Sequence, residues 1–177
     1  MSVPENDLET TLADVVRLFP ALSIDPLRRY TREILRWNDE IGLVSRKHPV
    51  AACHRLLIES AEFGGVVAGV LAPDRSTDLR VADVGSGAGF PGFVWRMLFP
   101  GWDLALIERR EKKAVFLEQI VRQFSFSRVE VFAGDARAAS HLERYRASFD
   151  VVATMAVGAP SRTAPEIEDL LVAGGVF

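Results

Sequence analysis

Apolar residues recur at helical spacing through the first part of the chain and in short unbroken runs through the rest, and the change falls near Pro73. Residues 8–18 carry a helical pattern that stops before Pro20. Ser23 then stands as an N-cap with Pro26 in the first turn. Leu27, Tyr30, Ile34, Trp37 and Ile41 follow at steps of three and four, which marks the apolar stripe of a second helix. Arg29, Arg32 and Arg36 share another face of it. They read either as a solvated face with Arg29–Glu33 and Arg36–Glu40 pairs or as a contact for RNA phosphate. A third helix is predicted over residues 50–71, weakened at Gly64 and Gly65.

After the turn-rich residues 72–77 the period changes. Strands are predicted at 79–84, 104–107, 129–132, 149–153 and from 175 onward. Helices are predicted between them at 90–99, 110–124, 136–145 and 162–171. Strands that are apolar throughout, alternating with helices, predict an α/β fold with a mostly parallel sheet covered by helices on both faces. The chain stops at Phe177, where a fifth strand begins.

Composition adds exclusions. With 49% hydrophobic and 25% charged residues in 177, the chain can bury a full core without crosslinks. A single cysteine, Cys53, leaves no disulfide framework and no cysteine-based zinc site, and His48, His54 and His141 lack metal-type spacing. The acidic first residues hold no signal-peptide core and no stretch is long enough to span a bilayer, so a cytoplasmic, metal-free domain is expected. Net charge is −3, which leaves nucleic-acid binding to local clusters. The densest are Arg46-Lys47-His48 and Arg109-Arg110-Glu111-Lys112-Lys113, so Arg46, Lys47, Arg109, Arg110, Lys112 and Lys113 are the candidate RNA contacts. Solvation of a helix start is the plain alternative for Lys112 and Lys113.

The strongest chemical signal is Asp83-Val84-Gly85-Ser86-Gly87-Ala88-Gly89-Phe90-Pro91-Gly92, between a strand and a helix. Glycines there permit positive φ and close approach of a ligand to the main chain. The spacing is G-x-G-x-G; Phe90 occupies the place of the third glycine in the dinucleotide fingerprint G-x-G-x-x-G, which disfavours a nicotinamide enzyme. Asp83 is placed to anchor the loop or to meet a ligand's ammonium group. Glu108 ends the second strand, where a carboxylate accepts hydrogen bonds from both ribose hydroxyls, and Asp135 follows the third strand near the adenine end. Phe90 and Pro91 are placed to touch a flipped base.

Asp83 to Gly89 resembles motif I of class I S-adenosylmethionine-dependent methyltransferases. The longer string to Gly92, with Lys112-Lys113-Ala114-Val115-Phe116-Leu117, resembles the glucose-inhibited-division protein B family, the 16S ribosomal RNA guanine-N7 methyltransferases. So do Trp37-Asn38-Asp39-Glu40-Ile41-Gly42-Leu43 upstream, and Phe149-Asp150-Val151-Val152 and Ala173-Gly174-Gly175 downstream, the last as a turn before the fifth strand. The resemblance implies a Rossmann-like class I methyltransferase sheet. It also implies an N-terminal helical segment (1–73) and an S-adenosylmethionine-binding domain (78–177) that lacks the family's last strands. It implies S-adenosyl-L-methionine as cofactor, held by Asp83, Gly85, Gly87, Gly89, Phe90, Glu108, Asp135, Ala136 and Arg137, with 16S rRNA or the 30S subunit as partner of a monomeric enzyme. Where the family carries Ser-Arg-Ala after the fourth strand this chain has Thr154-Met155-Ala156, which motivates the alternative of an inactive homologue serving as an RNA- or protein-binding module.

Overall fold

The computed structural model describes residues 5–71, 78–155 and 167–177. Three helices come first: α1 (Glu5–Leu18), α2 (Ile24–Ile41) and α3 (Pro49–Val70). Then follow β1 (Arg80–Val84), α4 (Gly92–Leu98), β2 (Asp103–Glu108), α5 (Glu111–Phe124), β3 (Val129–Ala133), α6 (Ala136–Ser140), β4 (Phe149–Ala153) and β5 (Leu171–Val176). The strands form one parallel sheet in the order β3-β2-β1-β4-β5. The chain moves outward one way from β1 to β3 and then crosses to the other side of β1, so the order reverses between β1 and β4. Open α/β sheets bind ligands beyond the carboxyl ends of strands at such a reversal.

Alternation along the strands decides which face each side chain meets. Ala82, Val84, Ala105 and Ile107 join Tyr145, Phe149 and Ile167 on one face. Val81, Leu104 and Leu106 point to the other, where they meet Trp95 and Trp102 or Phe93, Phe116 and Leu117. Asp83 and Glu108 belong to this second row. Leu8, Leu12, Val15, Leu27, Tyr30, Ile34 and Leu57 enter the same core cluster as Phe93 and Phe116, so α1–α3 are packed into the helical layer that backs the carboxyl end.

In α2 the predicted stripe is real, with Leu27, Tyr30 and Ile34 fully buried and Trp37 and Ile41 half-buried. The expected arginine pairs are not those that form. Arg36 pairs with Glu33 at 2.7 Å, and Arg29 lies 4.7 Å over the Phe124 ring while donating to Gln123 O at 3.2 Å. Arg28 holds Glu9 through two bonds of 2.6 and 2.8 Å, which ties α2 to α1. Helix α3 runs unbroken through Gly64 and Gly65. Gly64 is needed because a Cβ there would stand 2.8 Å from Trp95 Nε1, whereas nothing lies within 4 Å of one at Gly65.

Two more expectations are corrected. The helix after β3 ends at Ser140, because bonds of the i→i+3 type, Leu142 N to Ala139 O and Tyr145 N to Leu142 O (both 2.9 Å), replace the α-helical pattern. Those turns still bring Ala139 and Tyr145 to the sheet. The helix predicted over 162–171 falls partly outside the described residues, and Leu171 already belongs to β5. Gly174 and Gly175 are not a turn before that strand. They lie in a bulge within it, where pairing jumps from Phe149–Leu171 to Val151–Val176 and Gly174 takes φ 78°.

Candidate functional site

The turn after β1 is held by a short set of backbone bonds. Gly85 N and Ser86 N both donate to Ile107 O, at 2.7 and 3.3 Å, and Gly89 N donates to Ser86 O at 2.6 Å. Gly85, Gly87 and Gly89 have φ of 74°, 57° and 99°, the left-handed region that a side chain strains. At Gly89 a Cβ would also collide with the Phe93 ring, at 2.2 Å. At Gly87 a Cβ would find only Gly85 O at 3.6 Å and Lys113 Nζ at 4.0 Å, so the outer side of the turn is open.

Two carboxylates brace this turn from the helical face. Asp83 is fully buried; its Oδ2 accepts from Gly92 N at 3.1 Å, at the start of α4, while Oδ1 has no partner. Burial pushes its pKa up to about 8, and the nearby Glu108 charge acts in the same direction. Asp83 is therefore an anchor under the loop. Glu108, 5% exposed, accepts from Gly87 N through Oε2 at 2.9 Å and from Arg110 N through Oε1 at 2.8 Å. Each oxygen keeps a further lone pair. An acceptor pair beside an open glycine turn suits a ligand with two adjacent hydroxyls.

Helix α5 begins just past Glu108 with a charge pattern that opposes its own dipole. Arg109, Arg110 and Lys112 are exposed and Lys113 is half-buried around the first turn, where the helix end favours anions. Among the described residues these four cations stand in no ion pair. Burial holds the Lys113 ammonium below the usual lysine range, with Arg110 adding to the effect and the Glu108 carboxylate opposing it.

Other expected residues are placed differently. The Phe90 ring is buried against Tyr30, 5.5 Å between centroids, and Pro91 is buried too, so neither offers a face to a flipped base. Asp135 is exposed and caps α6, accepting from Ala138 N at 2.8 Å; Ala136 is buried beneath it and Arg137 is exposed. Arg46 donates to Asp39 O at 3.0 Å and to Asn38 O at 3.4 Å, closing the carboxyl end of α2, while Lys47 is exposed.

Sequence reasoning passed over the contacts of two residues, one at the glycine turn and one at the carboxyl end of α2. Tyr30 counted only as a stripe residue, yet its hydroxyl donates to Ala88 O at 2.8 Å and so links α2 to the glycine turn. Asn38 Oδ1 accepts from Leu43 N and Val44 N, both at 2.8 Å, and Gly42 ends the helix at φ 63°. Only the three-dimensional fold shows the first. The second had a local signal, an asparagine just before a glycine cap.

A cleft of about 540 Å³ lies at the opposite, amino-terminal edge of the sheet, lined by Arg80, Asp103, Arg128, Val129, Glu130 and Phe149 among others. Among the described residues no group of side chains could hold a metal ion, and no helix is long and apolar enough to cross a membrane.

A family model described as GidB, rRNA small subunit methyltransferase G, matches residues 23–177. A ribosomal RNA small subunit methyltransferase G of Dictyoglomus thermophilum is 28% identical over 88% of this chain and 65% of its own length. The namesake from Nitrosomonas europaea is 34% identical over 72% of this chain and 58% of its own. The chain thus spans less than two thirds of these curated relatives. Among solved structures, TYW2 of Pyrococcus horikoshii in complex with MeSAdo superposes with a TM-score of 0.51 at 16% identity, covering 57% of this chain and 37% of that one, a likeness of fold.

Proposed function

The chain belongs to the GidB family of rRNA small subunit methyltransferases, and on that premise we propose that it transfers a methyl group from S-adenosyl-L-methionine to N7 of a guanine in 16S ribosomal RNA. One observation carries this reading: Gly87 N–H is bonded to Glu108 at 2.9 Å, which couples an open glycine turn to a carboxylate at the end of the next strand. The residues fit the cofactor. The open side of Gly85, Gly87 and Gly89 leaves room for its methionine and ribose portions, Glu108 offers acceptors to the ribose hydroxyls, and Asp135, Ala136 and Arg137 line the adenine side. Asp83 and Phe90 act from beneath, through the loop they support. When bound, the cofactor supplies an electrophilic methyl group.

Guanine N7 has a lone pair and no proton to lose, so no catalytic base is required. The chain's task is to hold the base in line with the methyl group and to exclude other approaches. Arg109, Arg110 and Lys112, free of carboxylate partners beside the turn, take RNA phosphates, with Lys47 and the already engaged Arg46 further out. In this reading residues 78–177 form the cofactor-binding domain and 1–73 the helical segment that backs it. The chain works as a cytoplasmic monomer on the 30S subunit or its RNA.

Calorimetric titration with S-adenosylmethionine and S-adenosylhomocysteine, followed by labelled methyl transfer to 30S particles and to bare 16S rRNA, tests the proposal. Saturable binding of both ligands and label at guanine N7 are expected. A folded chain that binds neither ligand overturns it. Met155 favours a second reading, an inactive binding module: its Sδ accepts from Ser60 Oγ at 3.7 Å, so a thioether docked on α3 stands where the family carries arginine. Cofactor binding without transfer, restored by Met155→Arg, would select that reading.

A further inference from the structure

Lys113 differs from the cations around it. Arg109, Arg110 and Lys112 are exposed, whereas Lys113 is half-buried and its Nζ lies 4.0 Å from where a Cβ on residue 87 would stand. Its ammonium therefore sits over the glycine turn, on the side left open. The carboxylate whose charge acts on it is that of Glu108. Glu108 is almost fully buried, braces the turn through Gly87 N, and shares its face of the sheet with Asp83, a second acid. Burying a carboxylate is costly unless it is both hydrogen-bonded and matched by opposite charge. The two backbone N–H groups satisfy the first requirement, and Lys113 is placed to satisfy the second.

We propose that Lys113 is a positioning residue of the nucleoside site and not an RNA contact: its ammonium supplies the counter-charge that orients the Glu108 carboxylate to accept both hydroxyls of a ribose. The inference rests on the cofactor reading above. It corrects the grouping of Lys113 with its neighbours, since adjacent residues of one basic run serve two different ligands.

The test is titration of the full chain and of Lys113→Met, Lys113→Arg and Lys112→Met with two ligands, S-adenosylhomocysteine and its 2′,3′-dideoxy analogue. Lys113→Met is expected to weaken S-adenosylhomocysteine by about tenfold, because the buried Glu108 carboxylate then lacks its counter-charge. Lys113→Arg should restore most of the affinity and Lys112→Met should leave it unchanged. The dideoxy analogue, with no hydroxyls for Glu108, should bind the unsubstituted chain and Lys113→Met alike. Equal affinity of Lys113→Met and the unsubstituted chain for S-adenosylhomocysteine overturns the proposal. So does an equal loss for both ligands, which would mean that the lysine only shapes the turn. Failure of the unsubstituted chain to bind S-adenosylhomocysteine overturns the cofactor reading itself, and this inference with it.

Discussion

At the amino-terminal edge of the sheet Arg128 grips Asp103 through bonds of 2.8 and 3.2 Å, and Arg80 stacks 4.9 Å over Phe149 with Glu130 at 3.9 Å. At the carboxyl edge Arg109, Arg110, Lys112 and Lys113 crowd one helix start, with no ion pair among the described residues. The first edge has a cleft of about 540 Å³ and the second has the unsettled charge. Cations in a first helical turn each cost about 0.3–1 kcal/mol against the helix dipole, and at the carboxyl edge Glu111 in that turn and the Glu108 charge acting on Lys113 offset only part of it. The difference teaches that an anionic ligand is better sought where charge lacks a partner than in a cleft whose charges are already paired. Backbone geometry agrees, because the positive-φ glycines Gly85, Gly87 and Gly89 and the two buried acids lie at the carboxyl edge as well.

The comparison breaks first at Gly87. In Gly87→Val a β-branched residue must adopt φ near 57°, with a strain of about 1–3 kcal/mol. The turn would shift, and the Gly87 N–H bond to Glu108 would go with it. Cofactor affinity is expected to fall by about 5- to 150-fold from strain alone, and further because the new side chain stands in the ligand's path. Calorimetry with S-adenosylhomocysteine measures this; unchanged affinity would reduce the loop to a plain turn.

Asp83 sharpens it next. With its pKa raised to about 8 by burial, the folded state holds a proton between about pH 4 and pH 8 that the unfolded chain has released. Stability therefore falls as pH rises across that window and levels off above it. Asp83→Asn removes this dependence, so the variant should gain stability relative to the unsubstituted chain from about pH 4 to pH 8. Urea unfolding at several pH values gives the difference, and a constant offset would show that folding does not shift the Asp83 pKa.

Sheet, helices and glycine turn were legible because each is written locally: apolar runs, three-and-four spacing, and glycines after a strand. The carboxylate Glu108 was legible for the same reason, as the last residue of an apolar run. Tyr30 was passed over because its bond to Ala88 O spans 58 residues, and the role proposed for Lys113 could not be read from the basic run because it depends on the fold of the preceding turn. Phe90 was misjudged in the opposite sense. Its position beside the loop suggested a ligand, but an aromatic ring next to Tyr30 and Phe93 is better served by the core. Asp135 shows a third kind of limit, since the sequence Gly-Asp-Ala supports a helix cap and a ligand contact equally well, and the cap is what its side chain makes.

The smallest effect belongs to the amino-terminal edge, and it is the one that isolates the comparison. Arg128 is half exposed and bound to Asp103 and, at 3.5 Å, to Asp78. It also holds φ 61°, and its carbonyl accepts from Leu104 N at 2.9 Å. Arg128→Ala removes a surface network worth about 0–1 kcal/mol and leaves the glycine turn, Glu108 and the α5 cations in place. Unfolding free energy should drop by no more than about 1 kcal/mol, with cofactor affinity unchanged. If Arg128→Ala instead weakened S-adenosylhomocysteine binding as Lys113→Met is expected to, the two edges would be coupled through β2, which starts at Asp103 and ends at Glu108. Charge pairing would then no longer tell the working end of the sheet from the settled one.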